Sequence, residues 1–272
     1  MSKKYVIVGG VAGGATAAAR LRRLDESAEV ILLEKGPNVS FANCGLPYYI
    51  GGVITNREEL LVMSPDKFRG LFAVDVRVDS EVVHIDTQAK VLTIRNAGKE
   101  YEESYDSLLL SPGAQPLRPP IPGIENENIV SLRNVPDADR LFSLAQQHGK
   151  AGRAVVVGGG FIGVEVAENL RARGLTVTIV EAAPHILAPF DTDMIGQAEA
   201  ELRQNGIALI LQNGVKEFQH QADGTVTVEL GDGQRLPADF VVLAIGVRPD
   251  TAFLQDSGIL LTDRGHIVVD KF

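Results

Sequence analysis

The chain contains one cysteine, Cys44, and the residues around it favour redox chemistry at the thiol. Asn43 is a residue type that caps helix N-termini, so it predicts a helix whose first residue is Cys44 and whose first turn contains Pro47. The positive end of such a helix would lower the thiol pKa and raise the thiolate fraction. The alternative is a buried cysteine that packs as a small hydrophobe.

The absence of a second cysteine narrows the chemistry that Cys44 could perform. An internal disulfide cannot form, so a redox role leaves two routes. The thiol can cycle through sulfenic acid. It can also form a mixed disulfide with a small thiol.

Two glycine-rich loops have the residue types that hold phosphate groups. The second loop matches the pattern Gly-x-Gly-x-x-Gly and consists of Gly158, Gly159, Gly160, Phe161, Ile162 and Gly163. In this pattern the first glycine makes a tight turn, the second lets a pyrophosphate approach, and the third lets helix and strand pack closely. The first loop has valine at the middle position and consists of Gly9, Gly10, Val11, Ala12, Gly13 and Gly14. Ordinary glycine-rich helix caps are the alternative.

An acidic residue follows each loop at about the 20-residue spacing of a ribose-binding carboxylate. These residues are Glu34 and Glu181, each at the end of an apolar run. Two nucleotide sites in one chain predict an electron relay, with FAD and a nicotinamide nucleotide as its cofactors. No arginine or lysine occurs in 182–187, where a 2′-phosphate would need a cation, so we expect NADH to be preferred over NADPH.

The elements that must position these residues occur twice. Each copy has an apolar strand, a glycine loop, a helix (15–24 or 164–173) and a strand that ends in the acid. Each then has alternating apolar and polar stretches, which predict antiparallel strands, and an unbroken apolar run, which predicts a buried parallel strand. The fold class is therefore α/β, with two Rossmann-like βαβ dinucleotide-binding domains that each carry a small antiparallel meander.

Length and composition exclude several functional classes. A chain of 272 residues predicts about two domains. The net charge of −9 argues against nucleic acid as a partner. No apolar run approaches the roughly 20 residues of a membrane helix, and the N-terminal one is too short for a signal peptide, so we expect a cytoplasmic protein without a membrane partner. Five scattered histidines and one cysteine predict no metal site.

The segment 40–48, Ser-Phe-Ala-Asn-Cys-Gly-Leu-Pro-Tyr, resembles the single-cysteine branch of the flavin-dependent pyridine nucleotide-disulfide oxidoreductase family. It is similar to the coenzyme A-disulfide reductases and the coenzyme A persulfide and polysulfide reductases. The resemblance implies an enzyme that passes hydride from NAD(P)H through FAD to Cys44, which reduces a coenzyme A disulfide or persulfide. The alternatives are an NADH oxidase that cycles Cys44 through sulfenic acid, and a nucleotide-binding remnant without turnover.

The same resemblance implies roles for individual residues. Cys44 corresponds to the thiol that forms a mixed disulfide with coenzyme A. Phe161 corresponds to the aromatic residue that covers the flavin, Glu165 to the acid that positions the carboxamide, and Gly246 to a second nicotinamide-side loop. The implied FAD contacts, besides the first glycine loop, are Glu34, Lys35, Val83, Ser111, Pro112 and Gly113. The implied substrate contacts are Thr16, Arg20, Arg23, Ser40 and Asn43. A solvated basic stripe is the alternative for Thr16, Arg20 and Arg23.

Two departures from the family pattern affect these expectations. Oxygen-reducing relatives carry a histidine in the first glycine loop, and Ala12 replaces it here, which disfavours peroxidase chemistry. The family also continues beyond residue 272 with a second FAD motif and a dimerisation domain. We therefore expect a truncated chain that binds FAD poorly, with homodimerisation a property of full-length relatives. The predicted domains are an incomplete FAD-binding domain (1–148), an NAD-binding domain (149–250) and a return to the FAD domain (251–272).

Overall fold

The computed structural model describes residues 2–271, so positions 1 and 272 of the predicted domains lie outside the described residues. The α-helices in this part of the chain are α1 (Gly13–Leu24), α2 (Leu46–Gly51), α3 (Pro65–Phe72), α4 (Val135–His148), α5 (Phe161–Ala172) and α6 (Thr192–Gln204). The strands are β1 (Lys4–Val8), β2 (Glu29–Leu33), β3 (Asp75–Arg77), β4 (Glu81–Asp86), β5 (Val91–Asn96), β6 (Lys99–Ser104), β7 (Ser107–Leu110), β8 (Ala114–Pro116), β9 (Ile129–Ser131), β10 (Arg153–Val157), β11 (Thr176–Val180), β12 (Ile207–Ile210), β13 (Val215–His220), β14 (Val226–Leu230), β15 (Arg235–Ala238), β16 (Phe240–Leu243) and β17 (Val247–Pro249).

The chain forms two compact units and passes between them several times. Within the described residues, unit 1 comprises 2–42, Leu61–Gln115 and 248–271. Unit 2 comprises Asn43–Leu60 and Pro116–Val247. Residues 116–148 therefore pack with unit 2, because β9 pairs with β16 in its sheet. The ligand-binding domain limits at 148 and 250 stay predictions.

Unit 1 has a parallel sheet with strand order β3-β2-β1-β7, in which Ile7 lies opposite both Leu32 and Leu109. Side chains alternate across this sheet, as the strand period requires. Ile7 and Leu32 face a cluster that includes α1 and Phe68, whereas Val6 and its neighbours on the other face pack against the antiparallel meander β4-β5-β6. The predicted combination of a βαβ unit with a small antiparallel meander is confirmed.

Unit 2 repeats this arrangement with a five-stranded parallel sheet in the order β12-β11-β10-β16-β9. Its meander, β13-β14-β15, packs through Phe218 against the Val155 and Val157 face of β10. Strand β16 is fully buried because β9 covers its edge, whereas β7 is the edge strand of unit 1 and is only half-buried. The two predicted apolar strands thus differ in burial through their place in the sheet.

The helices that follow the glycine loops begin earlier than the sequence predicts. The predicted starts were Ala15 and Val164, but α1 begins at Gly13 and α5 at Phe161. The difference arises because the last glycines of each loop have helical backbone conformations and form part of the first turn. Each helix N-terminus therefore lies directly against its glycine loop.

An ion cluster joins β1, β3 and β6 in unit 1. Both Lys4 and Arg77 donate hydrogen bonds to the Glu103 carboxylate, the latter from Nη1 at 2.7 Å. Burial of the Glu103 carboxyl opposes its ionisation, but these two hydrogen bonds outweigh burial and hold its pKa below its usual range. A group whose pKa is lowered by folding stabilises the protein above its unfolded pKa and loses that contribution as pH falls.

We predict that Glu103→Gln lowers the free energy of unfolding at pH 7 by about 1 to 3 kcal/mol, because two charge-assisted hydrogen bonds are weakened. The deficit should shrink as pH falls below about 4.3, where the unfolded carboxyl takes up a proton. Urea unfolding of both proteins at pH 7 and again below pH 4.3 measures this difference in the free energy of unfolding. Glu100→Gln is the matched control on the same strand, since its pair with Arg95 is half-exposed and should contribute below about 1 kcal/mol. Equal effects of the two substitutions would contradict the prediction.

Candidate functional site

The first glycine loop of unit 1 is held by contacts between backbone atoms. Gly9 has a φ of +94°, and a Cβ there would collide with the Ser111 carbonyl oxygen. A Cβ on Gly14 would collide with the carbonyl oxygen of Gly9. The amide of Gly9 donates to the carbonyl of Leu33 at 2.8 Å, which ties the turn to β2. Glycine is therefore required at both positions by packing within the protein.

The loop of unit 2 has the same contacts at equivalent positions. Gly158 has a φ of +105° and lies against the Ala244 carbonyl, while Gly163 lies against the carbonyl of Gly158. Gly160 differs, because a Cβ there would meet no protein atom within 4 Å. Packing within the protein does not require glycine at this position, and the open backbone suits close approach by a ligand.

The acid at the end of the second strand supports the loop in each unit. Glu34 accepts from the amides of Gly10 at 2.7 Å and Gly36 at 2.8 Å. Glu181 accepts from the amides of Gly159 at 2.6 Å and Ala183 at 2.7 Å. The sequence assigned these carboxylates to a ribose alone and did not indicate this second task. Each carboxylate retains acceptor capacity, because it offers about four lone-pair positions and uses two here.

Unit 1 has a cavity of about 150 Å³ beside its glycine loop. Four of the predicted cofactor residues line it: Gly9, Glu34, Lys35 and Pro112. Lys35 also forms an ion pair with Asp250, which lines the same cavity.

The remaining predicted FAD contacts do not line this cavity. Ser111 packs against the loop, and Gly113 has a φ of +71° in the turn that follows β7. Val82, rather than the predicted Val83, is among the lining residues. The lining residues that the sequence did not indicate are Val8, Leu33, Ser80, Glu81, Val82, Asp250, Ala252 and Phe253.

Unit 2 has a larger cavity, of about 600 Å³, at the carboxyl ends of β10, β11, β12 and β16. Its lining includes the predicted residues Gly158, Gly159, Gly160, Phe161, Ile162, Glu181 and Gly246. It also includes 213–215 and 243–247, which follow β12 and β16. The rule that ligands bind beyond the carboxyl ends of parallel strands could have indicated these two segments.

Phe161 and Glu165 occupy the first turns of α5. The Phe161 ring is half-exposed and meets the Phe190 ring edge-on, with 5.7 Å between centroids. Glu165 is half-buried and does not line the cavity. Burial and the nearby Glu165 carboxylate raise the pKa of Glu168, one turn further along.

Cys44 lies in unit 2 and is exposed. The predicted helix start is wrong: Asn43–Gly45 forms a 3₁₀ turn, and α2 begins at Leu46 with Gly45 as its N-cap. No side chain caps this helix, so Asn43 does not have its predicted capping role. Pro47 does lie in the first turn, as predicted. The reading of Cys44 as a buried hydrophobe is wrong as well.

The segment that carries Cys44 is fixed to the helix that follows the second glycine loop. Arg173, just beyond α5, donates from Nε to the carbonyl of Ile50 at 2.8 Å. Its guanidinium lies 4.6 Å from the ring centroid of Phe142, which stacks on Tyr49. Gly51 lies against Asn169 so closely that a Cβ would collide with the amide side chain. These contacts join α2, α4 and α5 within unit 2.

The predicted substrate contacts Thr16, Arg20 and Arg23 lie exposed on one face of α1 in unit 1. Between them, Arg22 donates to carbonyl oxygens that include those of Phe72 and Ala28, at 2.9 and 2.7 Å. Arg22 therefore has a structural task, whereas the face containing Arg20 is open to solvent. Of the other two predicted contacts, Ser40 belongs to unit 1 and Asn43 to unit 2.

No helix in residues 2–271 is both long and apolar enough to cross a membrane. The same residues contain no group of three or more histidine, cysteine or acidic side chains placed to hold a metal ion.

The fold, together with two glycine loops that each donate an amide hydrogen bond to a glutamate, defines a protein with tandem dinucleotide-binding units. The chain belongs to the pyridine nucleotide-disulphide oxidoreductase family, whose sequence model matches residues 3–272. This family implies FAD and NAD(P)H as cofactors, and both glycine loops fit them, because each loop leads directly into a helix N-terminus, which suits a pyrophosphate.

Known relatives are similar along nearly the whole chain. The coenzyme A disulfide reductase of Staphylococcus haemolyticus is 37% identical over 273 residues, covering 99% of this chain and 60% of its own length. The reduced Bacillus anthracis CoADR-RHD structure is 46% identical with a TM-score of 0.92, covering 97% and 47%. The NAD-dependent persulfide reductase from A. fulgidus is 33% identical with a TM-score of 0.93, covering 98% and 50%. The chain thus spans about half to three-fifths of these relatives.

The different surroundings of two glycines in the second loop give a testable prediction. Gly160→Val should change the free energy of unfolding by less than about 1 kcal/mol, because its Cβ meets open space. It should nevertheless weaken NADH binding at least tenfold, because the added side chain occupies the ligand's approach. Gly163→Val is the matched control and should destabilise unit 2 itself, since its Cβ meets a backbone carbonyl. Urea unfolding and calorimetric titration with NADH measure both variants. Unchanged NADH affinity in folded Gly160→Val would contradict the prediction.

Proposed function

We propose that this chain is the nucleotide-binding part of an NADH-dependent flavoprotein that reduces a coenzyme A disulfide or persulfide. Unit 1 binds FAD and unit 2 binds NADH, with functional limits near residues 148 and 250. The observation that carries the proposal is a glycine loop, present once in each unit, whose amide donates to the glutamate that follows the second strand. The named relatives, a coenzyme A disulfide reductase and a persulfide reductase, support the substrate class.

The side chains of each unit hold the proposed cofactors in similar ways. In unit 1, the loop from Gly9 to Gly14 binds the FAD pyrophosphate through amides other than those of Gly9 and Gly10, which already donate within the protein. Glu34 accepts from the ribose, and Lys35, Val83 and 111–113 complete the contacts. In unit 2, Gly158 to Gly163 and Gly246 bind NADH, Phe161 is the aromatic residue that covers the flavin, and Glu165 orients the carboxamide. A flavin held by the unit 1 residues would supply the chemistry that converts hydride transfer into two-electron reduction of sulfur.

Cys44 performs the thiol chemistry of the proposed reaction. Its thiolate attacks one sulfur of a coenzyme A disulfide, forming a Cys44–coenzyme A disulfide and expelling one coenzyme A thiolate. Two electrons that originate from NADH then cleave the Cys44–coenzyme A disulfide. This step releases the second coenzyme A and restores the Cys44 thiolate, and each released coenzyme A thiolate takes up one proton. The exposed residues Thr16, Arg20 and Arg23 bind the phosphates of coenzyme A, and Ser40 and Asn43 contact its thiol end.

An anaerobic assay tests this reaction. The FAD-supplemented chain, NADH and coenzyme A disulfide should yield two free thiols for each NADH oxidised. Turnover that requires oxygen and yields water would instead favour an oxidase that cycles through sulfenic acid. Nucleotide binding without any turnover would favour the remnant alternative.

We predict that Cys44→Ser abolishes thiol release while NADH affinity stays within about twofold, because serine cannot form a mixed disulfide under these conditions. Calorimetric titration and thiol assay of the same preparation measure both properties. Disulfide reduction at the wild-type rate in this variant would remove Cys44 from the mechanism.

The second acid supports NADH rather than NADPH as the reductant. Glu181 lines the unit 2 cavity, where a carboxylate accepts from a 2′-hydroxyl and repels a 2′-phosphate. The persulfide reductase among the relatives is NAD-dependent, which agrees with this preference.

We predict that the wild type binds NADH more tightly than NADPH. Glu181→Ala should reduce the ratio of NADH affinity to NADPH affinity. NADH affinity should fall about tenfold or more, because a charged hydrogen-bond acceptor and a brace of the loop are both lost. Glu34→Ala is the matched control: it removes the equivalent brace from unit 1 and should leave the NADH-to-NADPH ratio unchanged. An unaltered ratio in Glu181→Ala would show that another group sets the preference.

A further inference from the structure

A buried carboxylate on α6 faces the loop that borders the unit 2 cavity. Glu199 is only 7% exposed, and its Oε1 lies 3.2 Å from His185 Nδ1. Its Oε2 lies 3.3 Å from Arg203 Nη1. Burying an ionised carboxylate costs free energy unless its oxygens have hydrogen-bond partners. The contact with Glu199 therefore holds the His185 ring in this position.

His185 lines the same cavity as Glu181, four residues earlier in the chain. The loop that carries the ring is tied to the glycine loop, since the amide of Leu187 donates to the carbonyl of Gly159 at 2.8 Å. Within residues 2–271, Glu199 is the hydrogen-bond partner of the imidazole, through Nδ1, and Nε2 is left for a ligand.

The Glu199 contact fixes which ring nitrogen of His185 carries the proton. An ionised carboxylate only accepts hydrogen bonds, so neutral His185 must carry its proton on Nδ1 and present a lone pair at Nε2. Two side chains that line the cavity, Glu181 and His185, then each carry an acceptor atom. A ribose hydroxyl donates to such acceptors, whereas an ionised phosphate has no proton to donate.

We propose that His185 is a second specificity-determining residue for the adenosine ribose of NADH, and that Glu199 is the residue that positions it. This inference rests on the proposed function, because it assumes that the unit 2 cavity takes a nicotinamide nucleotide. It adds to that function a reason for selectivity that does not depend on Glu181 alone.

Calorimetric titration of the 272-residue chain with NADH and with NADPH, at about pH 8 where free imidazole is neutral, tests the proposal. His185→Ala should weaken NADH binding about 2- to 10-fold, the effect of one lost hydrogen bond, and leave NADPH binding unchanged or tighter. Glu199→Gln should give a similar loss, because an amide can donate to Nδ1 and move the ring proton to Nε2. Arg203→Gln is the matched control, since it leaves the His185–Glu199 contact intact, and NADH affinity should stay within about twofold.

The double variant separates positioning from a general structural effect. If Glu199 acts through His185, His185→Ala/Glu199→Gln should bind NADH no more weakly than His185→Ala alone. Losses that add in the double variant would overturn the positioning role. NADH binding that His185→Ala leaves unchanged would overturn the inference alone. A wild type that binds neither nucleotide would overturn the proposed function and this inference with it.

Discussion

The rest of each unit depends on backbone packed directly against backbone at the two outer glycines of its loop. Gly14 lies against the carbonyl of Gly9, and Gly163 lies against that of Gly158. These contacts bring the first turn of each helix onto the carboxyl end of the first strand, so helix and sheet pack without an intervening side chain. The N-terminus of the helix then lies beside the glycine loop.

The carboxylate that follows the second strand of each unit holds the glycine loop in place. Glu34 and Glu181 each accept from one loop amide and from the amide two residues beyond the acid itself. A side chain held by two backbone donors loses little further freedom when a ligand arrives, which favours binding. The same residue therefore shapes the loop and, in the proposed function, also contacts the ligand.

Much of this fold is predictable from sequence because its signals are local. Strand periodicity separates the buried parallel strands from the meanders, and glycine spacing marks both loops. The start of α2 was missed because a 3₁₀ turn over Asn43–Gly45 precedes it. Asparagine is common before both α-helices and 3₁₀ turns, so its presence at position 43 does not distinguish them. The contact between His185 and Glu199 was missed for another reason: it joins a loop to a separate helix, and only the folded chain brings them together.

The path of the chain has a consequence for how such proteins can be recombined. Residues Asn43–Leu60 lie within the sequence of unit 1 but pack in unit 2, where Arg173 and Phe142 hold them. A genetic exchange that replaced only Pro116–Val247 would set α2 against a foreign surface lacking these matched partners. The thiol segment and the nucleotide unit must therefore be transplanted together, and in descent they should diverge as a pair rather than be shuffled independently.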